Sequence, residues 1–263
     1  MNLLKRELKA NRKPFFFWCL GLLVLIFSGM AKFTGLREGG EAVAQMMAAF
    51  PRAVQAMLGM VDVDVTALPG YYAVLMYYAL ICISIYALSL GANAVGRESA
   101  DKTYEFLFTK PMRRGKVLGI KLLAGFFCLL GFTFFSGLFS ALSLRAFRLE
   151  GELSSEIELF TLTLLLVGLL FYLLSAMLTA LSRQPEKGAR RGTLLFVAFF
   201  VIGMVYDMLE NAALLRFFTP LRFFPFGELL QGELNPGFAA LSLLLSAAFG
   251  AAAFYAFTKK DLQ

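Results

Sequence analysis

The chain contains no histidine, which removes serine–histidine hydrolysis, histidine-ligated zinc and histidine proton relays together. Cys19, Cys82 and Cys128 each lie inside an apolar run, so they read as small buried hydrophobes rather than disulfide partners or metal ligands. No G-x-x-x-x-G-K-[ST] phosphate loop occurs, and with it goes the common means of binding ATP. No catalytic residue, metal site or bound cofactor is therefore expected on this chain. What remains is charge placed beside apolar runs. Asp207 and Glu210 follow one such run, and Phe217 and Phe218 come shortly after. These four are candidates for an outer gate or substrate path, set against a purely structural role at the outer surface.

The densest charge lies between Arg97 and Lys121, where seven cations face only Glu98, Asp101 and Glu105. Ser99 can cap a helix whose first turn holds Asp101, and Pro111 should end it, which predicts a short helix over 101–109. Tyr104, Leu107 and Phe108 share one face of that helix, with Lys102, Glu105 and Thr109 largely on others. An aromatic edge flanked by charges suits a partner's cleft. A lipid-facing interfacial helix with no partner has the same pattern, and the physics leaves the two level. Residues 110–121, which include Lys110, Arg113, Arg114, Lys116 and Lys121, read as a cationic anchor at the lipid headgroups.

The elements that must hold these residues are apolar. Of 263 residues, 59% are hydrophobic and 16% charged, far from the balance of a soluble domain. The apolar residues come in uninterrupted blocks, so the chain is an integral membrane protein of all-α class. A single domain over 1–263 is expected, with spans at 14–31, 71–96, 122–144, 159–181, 193–213 and 237–257. The fifth apolar run, 193–206, is too short to cross alone before Asp207 intervenes. Residues 1–13 carry Lys5, Arg6, Lys9, Arg12 and Lys13 against Glu7 and should form a short amphipathic helix on the inner surface, with Pro14 opening the first span. That first run is long for a cleaved leader and lacks a convincing A-x-A site.

Between the first two spans, Met46, Met47, Phe50, Val54, Met57 and Leu58 recur at helical spacing, predicting a surface helix over 41–59 bent near Pro51. It serves either as a gate or, the reading favoured by its methionines, as a cap on the bundle. Tyr71, Tyr72, Tyr77 and Tyr78 fit an interfacial belt at the outer face. Arg145, Arg148, Glu150, Glu152, Glu156 and Glu158 predict a small hairpin, and 182–193 a second basic connection with Arg183, Lys187, Arg190 and Arg191. Residues 214–234 are rich in phenylalanine but broken by Pro220 and Pro225, so they read as a re-entrant or interfacial hairpin, tolerable only if buried in protein.

With both termini inside, 18 of the 25 cations fall on the cytoplasmic side, while twelve of the eighteen acids fall outside. An even number of spans with this bias gives cytoplasmic N- and C-termini. The net charge of +7 is thus explained by topology and anionic lipid, not by nucleic acid.

The run from Gly91 to Gly125, GANAVGRESADKTYEFLFTKPMRRGKVLGIKLLAG, resembles the signature of permease subunits of type-2 ATP-binding cassette (ABC) transporters. Glu98, Thr103, Glu105, Leu107, Pro111, Arg113 or Arg114, and Lys121 occupy the places of that pattern. The likeness extends to the long first external loop, the Pro- and Phe-rich segment before the last span, and the final Lys259-Lys260-Asp261-Leu262. It departs where Lys102 stands for the usual glycine and Phe106-Leu107 for Leu-Leu. The resemblance implies a cytoplasmic coupling helix between spans two and three that docks a separate ATPase through Arg97, Glu98, Asp101, Lys102, Thr103, Tyr104, Glu105, Leu107 and Phe108. Lys5, Arg6, Arg183, Lys187 and Arg190 would make secondary contacts.

It further implies two permease copies, ATP and magnesium held by the partner, and a multi-pass place in the cell membrane, bacterial inner membrane being expected. Export of a hydrophobic or amphipathic cargo, a peptide, lipid-like molecule or drug, follows from the class. An ion-coupled secondary transporter acting alone, or a non-transporting sensor or assembly subunit of the same fold, stands as the alternative. The absent histidine and lack of paired carboxylates argue against a membrane enzyme. A reporter fused after Gln263 should be active only on the cytoplasmic side; activity outside would reverse the topology.

Overall fold

The structure, a computed structural model, describes residues 2–61, 63–100, 114–149, 153–209 and 213–259. Among the described residues there is no strand. The helices are α1 (Asn2–Ala48), α2 (Arg52–Leu58), α3 (Leu68–Ala100), α4 (Arg114–Ala146), α5 (Ser154–Leu181), α6 (Pro185–Met208), α7 (Ala213–Arg216), α8 (Phe226–Leu230) and α9 (Pro236–Lys259), with a 3-10 turn at Pro220–Arg222. Six of them, α1, α3, α4, α5, α6 and α9, are long and apolar enough to cross a membrane. The chain is a polytopic all-α membrane protein.

Local chemistry sets where these helices start and stop. Pro185 stands in the first turn of α6 with Glu186 beside it. Asn235 caps α9, its Oδ1 accepting the backbone N–H groups of Gly237 at 3.0 Å and Phe238 at 3.3 Å. Gly59 ends α2 in the left-handed conformation, φ 71°, which a residue without Cβ adopts freely. Asp64 accepts from the Thr66 N–H and hydroxyl at 2.9 and 2.6 Å, which holds its carboxyl below the usual range and folds the turn into α3.

At the centre stands α5, which packs on α3 most extensively, then on α9, α4 and α6. Its buried face includes Phe160, Leu164, Val167, Leu170, Phe171 and Tyr172. The α3–α5 crossing is tight at Gly91, where a Cβ would collide with the Tyr172 carbonyl and meet Ala176 N at 2.9 Å. Small residues permit such approach between membrane helices. Several polar groups within the bundle find partners there: the Tyr172 hydroxyl donates to Leu122 O at 2.9 Å, Ser175 Oγ to Leu88 O at 2.7 Å, and Tyr72 to Ser140 Oγ at 3.1 Å.

Several expectations are corrected. Residues 2–13 are no separate surface helix, because α1 runs through Pro14 without interruption and its break comes at Gly40, φ 48° and ψ −128°. Pro14 costs only one backbone bond, and Phe15, Leu22 and Ile26 pack continuously along the same helix. The fifth span starts eight residues before the expected 193, at Pro185, and ends at Met208 rather than 213. The basic connection thus shrinks to three residues, since helical arginines and lysines can point outward while Gly188 and Gly192 are buried.

Tyr72 and Tyr77 do not join an interfacial belt, since both are fully buried, while the half-buried Tyr71 and Tyr78 donate to Gly29 O and Leu58 O. The helix expected over 41–59 is split between the tail of α1 and α2, and Met46, Val54 and Met57 stay exposed. Lys121 is buried inside α4 rather than anchored among headgroups. The helix expected over 101–109, with Asp101, Lys102, Thr103, Tyr104, Glu105, Leu107 and Phe108, lies outside the described residues.

Gly91→Val should destabilise the chain by about 1–3 kcal/mol or more, because the new Cβ meets backbone that cannot yield. Gly21→Ala, where nothing lies within 4 Å, should change stability by less than about 0.5 kcal/mol. Thermal unfolding of both variants in one detergent checks the contrast.

Candidate functional site: the two charged ends of the bundle

Alternation of the six helices creates two ends. One gathers the starts of α1, α4 and α6 and the finishes of α3, α5 and α9: Arg97 meets Asn11, a Cβ at Gly96 would meet Pro185 at 2.7 Å, and one at Gly115 would meet Thr258 at 3.7 Å. This is the basic end. At the far end, α2, the finish of α6 and the broken segment after it come together.

The basic end is organised by a buried carboxylate. Glu7 is 4% exposed on α1, where an isolated charge would be costly. Arg6 reaches it at 2.9 Å, and Arg97 at the finish of α3 lies 3.8 Å away while donating to Asn11 Oδ1 at 2.8 Å. Arg97, the first residue of the set expected to dock an ATPase, is thus engaged by α1 within this chain. The backbone of Glu98 is helical as part of α3. Lys5, Arg183, Lys187 and Arg190 are exposed around the same end, and Arg191 donates to Ser182 Oγ at 3.2 Å.

At the far end the middle of the broken segment is buried, as irregular backbone requires, with Thr219, Leu221, Arg222, Phe223 and Phe224 all closed to solvent, while Leu214 before it is exposed. Its prolines break the helix, and side chains then close the fold. Arg222 grips Asp207 through Nε, 2.9 Å from both carboxylate oxygens, and through Nη2 to Oδ2. Its guanidinium also lies over the Tyr77 ring, 5.1 Å from the centroid. Arg52 on α2 donates to the Asp207 carbonyl at 3.3 Å, tying the surface helix to the finish of α6. A second fork, Arg216 to Glu228 at 2.7 and 2.8 Å, closes the loop, with Arg216 also donating to Phe223 O and lying 4.2 Å from the centre of the Phe238 ring.

Between α2, the finish of α6 and α8 lies a cavity of about 370 Å³ whose walls include Arg52, Tyr206, Asp207, Arg222, Phe226 and Glu228. That volume is within the range of small-molecule pockets. Of the residues expected here, Asp207 lines the cavity; Phe217 and Phe218 are exposed, at 58% and 65%, with Phe217 stacked near Phe238. Glu210 lies outside the described residues.

Sequence reasoning missed Arg222, Glu228, Tyr77 and the Glu7–Asn11–Arg97 cluster. For Arg222 a signal existed: one cation embedded between Pro220 and Phe223 in an apolar segment needs a counter-charge nearby.

A polytopic helical membrane protein with polar ends bound by interhelical ion pairs is the class these features define. Residues 1–262 match the ABC-2 family transporter protein pattern, and the chain belongs to that family. Comparison with curated proteins finds no match. The family is that of membrane subunits of ABC transporters, and membership rests on the whole chain rather than one motif.

Asp207→Ala strands a buried guanidinium and should destabilise by about 3–5 kcal/mol, whereas Asp207→Ala with Arg222→Met should recover more than half of that loss. Phe218→Ala should stay within about 0.5 kcal/mol. Chemical denaturation of the purified chain distinguishes these outcomes.

Proposed function

We propose that this chain is the permease half of an ATP-driven exporter, working as two copies with two copies of a separate cytoplasmic ATPase. The observation that carries the reading is the family match over 1–262 on a chain with six membrane-length helices. Because the chain has no phosphate loop, ATP and magnesium belong to the partner. The positive-inside bias puts the basic end in the cytoplasm of the cell membrane, where Arg97 to Phe108 would meet the ATPase, with Lys5, Arg6, Arg183, Lys187 and Arg190 beside it.

In this mechanism ATP closes the ATPase pair and the 101–109 segment moves as a lever. Arg97, held to Glu7 and Asn11, passes the displacement of α3 to α1. At the far end, the cavity under α2 serves as the outer gate, opened when Arg52 and Arg222 release the finish of α6. A hydrophobic or amphipathic cargo suits the phenylalanine-rich spans. The grip of Arg222 on Asp207 weighs against an ion-coupled carrier, which needs a carboxylate free to exchange its proton or cation.

Vectorial, ATP-dependent uptake into inverted vesicles holding both subunits is the expected result, and its absence with an assembled ATPase would favour a sensor or assembly subunit. Tyr104→Ala with Glu105→Ala should lower ATPase association at least about ten-fold and abolish uptake; unchanged coupling would refute the lever.

A further inference from the structure

The groove between α1 and α4 at the basic end is used by neither the docking segment nor the outer cavity. Leu8, Arg12 and Phe15 follow one another at helical steps on α1, with Lys9 beside them, and Phe127 and Cys128 close the other wall from α4. The groove is open on one side and has a volume of about 340 Å³. Phe15 forms its floor, packing within 3.0–3.1 Å of where a Cβ on Gly131 would stand. The wall is apolar apart from Lys9 and Arg12, and both of these are exposed. Among the described residues neither forms an ion pair, since the nearby carboxylate, Glu7, is held by Arg6 and Arg97.

We propose that this groove is a binding site for one anionic phospholipid of the leaflet at the basic end. An acyl chain fills the space between Leu8, Phe15 and Phe127, and the phosphate sits against Lys9 and Arg12. Charge complementarity selects this occupant. A neutral apolar face would leave two cations uncompensated, and a free phosphate would leave the groove unfilled. The groove lies between two membrane-length helices and beside the basic start of α1, where chain and headgroup reach it together. The proposal does not depend on ATP coupling.

The test uses the purified full-length chain in detergent, titrated with phosphatidylglycerol or phosphatidylcholine, with retained lipid counted by native mass spectrometry. One tightly retained phosphatidylglycerol per chain is expected, held at least about ten-fold more strongly than phosphatidylcholine. Lys9→Gln with Arg12→Gln should lose that preference. Lys5→Gln with Lys13→Gln, which removes two charges from the same helix but not from the groove, should keep it. Leu8→Trp, which fills the apolar part and leaves both cations, should also lose retention while melting normally without lipid. Equal loss in the two charge variants, or no selectivity in the unmodified chain, would overturn the site. So would a shift from dimer to monomer in the Lys9/Arg12 variant with lipid retention unchanged, which would assign the groove to a second copy.

Discussion

A charged side chain at the middle of a bilayer costs about 2.5–3.5 kcal/mol or more, and this constraint arranges the molecule. Its ionic contacts sit at the two ends of the helices: Glu7 with Arg6 and Arg97 at one, Asp207 with Arg222 and Glu228 with Arg216 at the other. Between them many buried hydroxyls are satisfied by carbonyls of their own or adjacent helices, as with Ser175 and Leu88 or Ser84 and Leu80, although those of Ser136, Thr163 and Ser246 find no hydrogen-bond partner among the described residues. A hydroxyl can be buried at the cost of one hydrogen bond, whereas a charge needs a partner of opposite sign. The ends can therefore carry charge and change their pairings, while the middle acts as a packed unit around α5.

The two charged clusters join different kinds of neighbour. At the basic end, α1 is linked to α3 across many residues of sequence by a single arginine that touches both Glu7 and Asn11. That link stands beside the segment proposed to meet an ATPase, so movement there need not be confined to α3. At the far end, Arg52 and Arg222 converge on Asp207 from a surface helix and from a broken segment. Opening that end would have to break charge-assisted bonds already shielded from water, which makes it a switch between discrete arrangements rather than a soft hinge.

Six membrane-length helices, their order and the irregularity of 214–234 were all legible in the residues. Apolar length and proline position act locally and need no partner to be read. That one span ends and the next begins within Arg97–Lys121 was legible for the same reason, although the helix resumes at Arg114 and takes Lys121 into its buried face. Element ends were less so: Pro14 looked like a start and is passed through, and the basic residues before Thr193 looked like a loop and are the first turns of α6. Long cationic side chains can lie on a helix with their charges outward, so charge alone does not mark where a helix ends.

The sequence by itself determined the membrane class, the count of membrane-length helices and the uneven placement of charge between them, because hydrophobic length and charge asymmetry are sums over neighbouring residues. Only the tertiary structure decided that Tyr72 and Tyr77 face inward, that Glu7 and Asn11 hold Arg97, and that Asp207 is paired with Arg222 fifteen residues on. Those pairings depend on which face of one helix meets which face of another. That choice is made by shape, through close approaches such as Gly91 against Tyr172 and Gly188 against Thr179, and shape of that kind is a property of the packed pair, not of either strip of sequence.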